Sequence, residues 1–187
     1  MKRILLLLIF GFLAALFEGC DPRTGAASHD MSEEHNEENS DTKTKERLAE
    51  FLANAVESKY ADLKLAELAS IKSDNSEIQN FAQSLANDHT NTLTELQALA
   101  DKKGIRVPVE EGEDTKEKIN KLSKEKNSDF DKKWCNELIA KHKKAIGEFE
   151  LMSDRSDDPQ LQEVINRSLI DLRAKLEKLN ALEKDTK

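Results

Sequence analysis

From Glu46 to the C-terminus the apolar residues return every three or four positions in four separate stretches, and no segment alternates with period two. That rhythm commits the chain to amphipathic helices and leaves no material for a sheet. The first helix is expected over Glu46 to Lys72, with Leu48, Phe51, Leu52, Ala55, Leu65, Leu68 and Ala69 inward and room for a break near Ser58. Ser73-Asp74-Asn75 stops it, and Asp74 with Glu77 three positions later has the form of a capping box. The second helix, over residues 75 to 103, turns Ile78, Phe81, Ala82, Leu85, His89, Leu93, Leu96 and Ala100 to one face. Gly104 suits the left-handed position after it, Lys102-Lys103 suit its negative end, and Pro108 prevents continuation.

Asp114 to Lys126 reads as a short polar helix holding Ile119 and Leu122. The third long helix is expected from a Ser128 cap to residue 153, with Phe130, Trp134, Leu138, His142, Ala145, Phe149 and Met152 inward. Asp158-Pro159 is a cap followed by a first-turn proline, and opens a fourth helix carrying Leu161, Ile165, Leu169, Leu172, Leu176 and Leu179. The expected architecture of residues 46–187 is an all-α, up-down-up-down four-helix bundle with a short extra helix between helices two and three.

Ahead of the bundle the character changes twice. Met1-Lys2-Arg3 is a basic start, and Ile4 to Phe17 is an unbroken apolar run. About 20 residues are needed to span a bilayer, so this run has the length of a signal-peptide core instead. Glu18-Gly19-Cys20 follows, and a small residue before cysteine resembles a bacterial lipoprotein signal. Residues 1–19 are therefore read as a signal peptide of lipoprotein type, with Cys20 lipidated and the bundle held in the periplasm or outside the cell. Plain secretion is the alternative, in which case a Cys20–Cys135 disulfide becomes open to the chain. Residues 20–45 have almost no aliphatic side chains and contain the acidic run Glu33-Glu34-His35-Asn36-Glu37-Glu38. Such a segment buries too little to offset its ordering entropy, so a flexible acidic tether is expected.

A formal charge of -8 with no basic block argues against nucleic acid as a partner. No glycine-rich phosphate loop, serine elbow or paired-cysteine motif is present. One polar feature interrupts the apolar stripes. His89 and His142 each follow a leucine by four residues and lie near mid-height of their helices, as do Asp62 in the first helix and Lys175 in the fourth. Asp88 flanks His89. Two readings follow. In one, Asp62 and Lys175 neutralise each other and the imidazoles bridge them in a hydrogen-bonded core layer. In the other, His89, His142, Asp88 and Asp62 hold a transition metal, iron, copper or zinc. A ferritin-type di-iron site needs two Glu-x-x-His motifs, and the chain has none.

F-L-A-N-A-V at 51–56, D-L-K-L-A-E-L-A at 62–69, I-Q-N-F-A-Q-S-L-A-N-D-H at 78–89, K-K-G-I-R-V-P at 102–108, F-D-K-K-W at 130–134 and His142 before A-I-G-E-F together resemble the bacterial family catalogued as domain of unknown function 4142. The resemblance implies a ferritin-like bundle exported to the cell envelope, without an established activity. Asp88, His89, Asp131 and His142 match the family pattern, whereas Asp62 stands where a glutamate is common and Lys175 where a histidine is common. Leu169-Ile170 replaces a usual Leu-Pro. The Cys20 signal, the acidic tether and the lack of a catalytic constellation lead to the expectation of a non-catalytic interaction role, with the membrane as partner through a lipid on Cys20 and an envelope protein as a further partner; the resemblance adds an expected role in envelope stress, and the metal-holding bundle is the alternative.

Overall fold

The computed structural model describes residues 24–186, and the expected signal peptide and Cys20 lie outside them. Those residues form five helices and no strand: α1 (Thr24–Lys72), α2 (Ser76–Lys102), α3 (Glu113–Ser123), α4 (Asn127–Ser153) and α5 (Pro159–Asp185). The chain divides into two compact units, Met1–Asp41 and Thr42–Lys187. The second holds the long buried stripes.

α1 begins far ahead of Glu46 and runs without a break past Ser58. The segment expected as a flexible tether is thus helical from Thr24. Residues 41–47 are exposed, so apolar periodicity marks where α1 enters the core and not where it starts. Asn75, not Asp74, caps α2, its side chain accepting the Glu77 and Ile78 backbone N–H groups. Asp74 instead accepts a hydrogen bond from Asn127, 2.7 Å away. α4 starts ahead of the expected Ser128 cap, with Lys126 at the cap position and no side-chain bond there. Asp158 caps α5 as its sequence demands, accepting from the Gln160 and Leu161 N–H groups. Gly104 ends the α2 turn with φ 68°, a conformation that glycine adopts without a Cβ clash.

Side-chain pairs give the helix directions. Phe51 meets Phe149 edge-on, Asp62 meets Lys141, and Trp134 Nε1 donates to the Leu65 carbonyl at 2.8 Å. Rising numbers in α1 meet falling numbers in α4, so the two are antiparallel. The same holds between α2 and α5, through Glu77–Lys178, Asp88–Lys175, Glu95–Arg167 and Lys102–Gln160. Tyr60–Gln97 and Asp62–His89 set α1 against α2, and Glu150–Arg173 with Ser153–Gln162 set α4 against α5. α2 and α4 are therefore parallel, and the order is up-down-down-up. The expected up-down-up-down order is corrected: the chain from Lys103 to Lys126, which holds α3, is long enough to return to the starting end before α4 begins.

Apolar burial is split in two. One cluster joins Leu52, Val56, Leu96, Leu99, Phe149, Leu161 and Ile165; the other joins Leu65, Ile78, Leu85, Phe130, Trp134, Leu138 and Leu179. Fully burying such side chains is worth about 1.5–3 kcal/mol each. In every long helix the two clusters part at the same height, and that gap is polar.

Candidate functional site

The gap is filled by Lys59 and Asp62 from α1, His89 from α2, His142 from α4 and Lys175 from α5. Both imidazoles are 0% exposed, Asp62 2%, Lys59 3% and Lys175 6%, so water does not solvate the layer directly. Each residue sits there because it continues its helix's apolar stripe: Ala55, Lys59, Asp62 and Ala66 are spaced by four, three and four.

Asp62 is the hub. Its Oδ2 lies 3.5 Å from Lys59 Nζ and 4.0 Å from His89 Nε2, and its Oδ1 lies 3.4 Å from Lys141 Nζ. Burial raises a carboxylate's pKa, but the Lys59 and Lys141 ammonium groups overcome it and hold Asp62 well below the usual carboxylate range. Burial pushes Lys59 below the ordinary amine value despite the Asp62 charge. Burial likewise drives His89 well below an ordinary histidine and lowers His142, with Lys59 and Lys175 adding to the effect. At neutral pH both imidazoles are neutral beside an ionised Asp62.

The two rings lie 6.1 Å apart, centre to centre, at 55°. Leu138 O accepts the His142 Nδ1 proton at 2.9 Å, which leaves Nε2 as the lone-pair nitrogen. That Nε2 has no hydrogen-bond partner, and neither does either nitrogen of His89. Three unpartnered buried nitrogens are exceptional, since each costs about 1–3 kcal/mol.

The sequence-derived set is thus gathered only in part. Asp62, His89, His142 and Lys175 share the layer, but Asp62 and Lys175 do not neutralise each other. Lys175 Nζ contacts Asp171 at 2.6 Å and Asp88 at 3.2 Å. Asp88 is half-exposed and serves Lys175 at the rim. Lys59 and Lys141, which sequence reasoning missed, take the partnership expected of Lys175. Lys59 carried a readable signal, being on the stripe with Asp62. Lys141 carried none, because it reaches Asp62 from the edge of α4. Among the described residues no group of three His, Cys, Asp or Glu side chains is placed to hold a metal. Cys135 is buried, and burial pushes its thiol up to about 12, which disfavours the reactive thiolate.

A cleft of about 260 Å³ opens beside the layer, between α1, α3 and α4, lined by Glu57, Asp114, Lys141 and Glu148 among others. Lys141 stands between this cleft and Asp62. No helix among the described residues is long and apolar enough to cross a membrane.

Two solved structures share the fold at low identity. One is a DUF305 fragment from Deinococcus radiodurans, with TM-score 0.67, 12% identity, and coverage of 74% of this chain and 96% of that one. The other is CopM in the Cu(I)-bound form, with TM-score 0.65, 14% identity, and the same 74% and 96% coverage. No curated protein matches the sequence significantly. A family defined by sequence does match, over residues 33–182, which takes in all four stripes and every residue of the buried layer: the chain belongs to the family described as Domain of unknown function (DUF4142).

Proposed function

We propose that the chain is a lipid-anchored protein of the bacterial cell envelope that works through interaction, in protecting the envelope under stress, and not through catalysis. Residues 1–19 are removed as a signal peptide, Cys20 carries the lipid, and residues 20–45 space a ferritin-like four-helix bundle from the membrane. The paired hairpins α1–α2 and α4–α5 with one long crossover support the ferritin-like reading. The observation that carries the non-catalytic reading is the closure of the polar layer. Its imidazoles have no exposed surface, and Asp62, Lys59 and Lys175 are spent on ion pairs. General acid–base chemistry needs a group within hydrogen-bond reach of a substrate, and here none larger than an ion has a way in.

The anchor is tested by Cys20→Ser. The wild-type chain should partition into detergent and incorporate a labelled fatty acid, and the variant should do neither. Unchanged partitioning of the variant overturns the anchor. Deleting the gene should sensitise cells to envelope stress, and Cys20→Ser should fail to restore resistance.

The second reading is a bundle that holds a transition metal. Two observations favour it: the unpartnered nitrogens of His89 and His142, and a likeness in fold to a protein solved with Cu(I) bound. It is compatible with a non-catalytic envelope protein, because an ion is small enough to reach a closed layer.

A further inference from the structure

We propose that His89 and His142 form a two-coordinate site for Cu(I), with Asp62 as the counter-charge and the Glu57–Asp114–Glu148 cleft as the way in. The proposal deepens the metal-holding reading and rests on it, fixing the ion, the ligand number and the route.

The ring separation matches a two-ligand site. An imidazole nitrogen lies about 1.1 Å from its ring centre and binds a transition metal at about 2.0 Å, so two rings sharing an ion in line have centres about 6.2 Å apart. His89 and His142 are 6.1 Å apart. Linear coordination sets no condition on the angle between the ring planes, so a 55° tilt is acceptable. The outer shell is in place on one side. The Leu138 carbonyl fixes the His142 tautomer, as second-shell carbonyls do for metal-bound histidines, and leaves Nε2 as a buried lone-pair nitrogen without a hydrogen-bond partner. His89 keeps Nε2 toward Asp62, 4.0 Å away, and free of any hydrogen bond.

The ion follows from charge and coordination. Zinc takes four ligands in structural sites and three plus water in catalytic ones, and among the described residues no group of three His, Cys, Asp or Glu side chains is placed to supply such a set. Lys59 and Lys175 lie near enough to act on both imidazoles, so each added positive charge is opposed. A singly charged ion meets half the repulsion of a divalent one, and the Asp62 carboxylate offsets it. Among ions suited to imidazole, Cu(I) combines a single charge with a filled d shell content with two ligands in line. Access is through Lys141, whose part-exposed side chain lines the cleft with Glu57, Asp114, Lys144 and Glu148 and whose Nζ lies 3.4 Å from Asp62 Oδ1. A swing of that flexible side chain opens a path from Glu57, Asp114 and Glu148 to the layer.

The full chain, purified from membranes in detergent, should take one Cu(I) under reducing conditions in competition with a coloured Cu(I) chelator. X-ray absorption should find two nitrogen neighbours and no sulphur. His89→Gln and His142→Gln should each weaken binding by at least about a hundredfold, since even second-shell changes cost 10–100-fold. Asp88→Asn, at the rim, should leave binding unchanged. Sulphur ligation, three or more neighbours, or full binding in both glutamine variants overturns the two-histidine site. Stoichiometric Zn(II) or Fe(II) without Cu(I) overturns it while leaving the metal-holding reading intact. No metal at all overturns both. If the glutamine variants fail to fold, the absorption spectrum of the wild-type chain decides.

Discussion

A carboxylate at Asp62 faces ammonium groups from two helices, and losing it leaves Lys59 charged in a dry core. Breaking a buried pair costs about 3–5 kcal/mol, whereas replacing both partners with apolar groups is often neutral. Asp62→Asn should therefore destabilise by about that amount, and Asp62→Leu with Lys59→Met should recover most of it; urea melts of the three proteins check this. The imidazoles make a separate prediction. Burial holds His89 and His142 below the ordinary value of 6.5. Below that pH the unfolded chain binds protons that the native chain refuses, so stability is full above about pH 6.5 and falls as pH drops toward the lowered native values, by up to about 1.4 kcal/mol per pH unit per imidazole. Asp62 acts in the same direction but only at still lower pH, its stability being lost below the ordinary carboxylate range. Melts between pH 7.5 and 5 should show the slope, and His142→Gln should about halve it; a flat profile would mean that the rings are protonated in the native state. His89, His142 and Asp62 were legible because a polar residue on an apolar stripe is conspicuous. Their partners were not: a stripe gives a residue's height and face, but ion pairing depends on which helix lies next to it.

At the scale of the element, sequence marks the start of α5 at its capping side chain and misses that of α2 by one residue, Asn75 for Asp74. Asp158 accepts two backbone N–H groups and also pairs with Lys103 at the end of α2, and these contacts hold its carboxyl below the usual range. Asp158→Ala should cost about 1 kcal/mol, the usual worth of an N-cap. Gly104→Ala should cost a further ~1 kcal/mol, because φ 68° is strained for a residue with a Cβ although the space beside it is open. Midpoints of guanidinium unfolding measure both. Where no side chain caps an end, sequence misleads. Lys126 caps α4 without a side-chain bond, so that start leaves no capping signature, and α1 passes through exposed residues at 41–47, so no buried stripe marks the helix just ahead of Glu46. The chain from Glu46 onward was legible because inward leucines and phenylalanines repeat at helical spacing and are in fact buried, Leu48, Leu68, Phe81 and Leu176 being partly so.

For the bundle unit as a whole, periodicity predicted four stripes but not their directions. Mid-height is the same whichever way a helix runs, which is why His89 and His142 meet although α2 and α4 are parallel and not antiparallel. Direction is set by the connections, and the length of the Lys103–Lys126 crossover is compatible with either order until contacts are seen. Zero-length carbodiimide cross-linking reads those contacts directly. Lys178 Nζ lies 3.5 Å from a Glu77 carboxylate, at the start of α2 and near the end of α5, so digestion should yield a 77–178 cross-linked peptide. A second should join Asp158 at the start of α5 to Lys103 at the end of α2. In an up-down-up-down bundle α2 and α5 would run the same way. Glu77 would then lie beside the first turn of α5, about 27 Å along the helix from Lys178, beyond any zero-length link. Recovery of both peptides from the monomer band establishes the up-down-down-up order; cross-links from Glu77 to the α5 start in their place would reverse it.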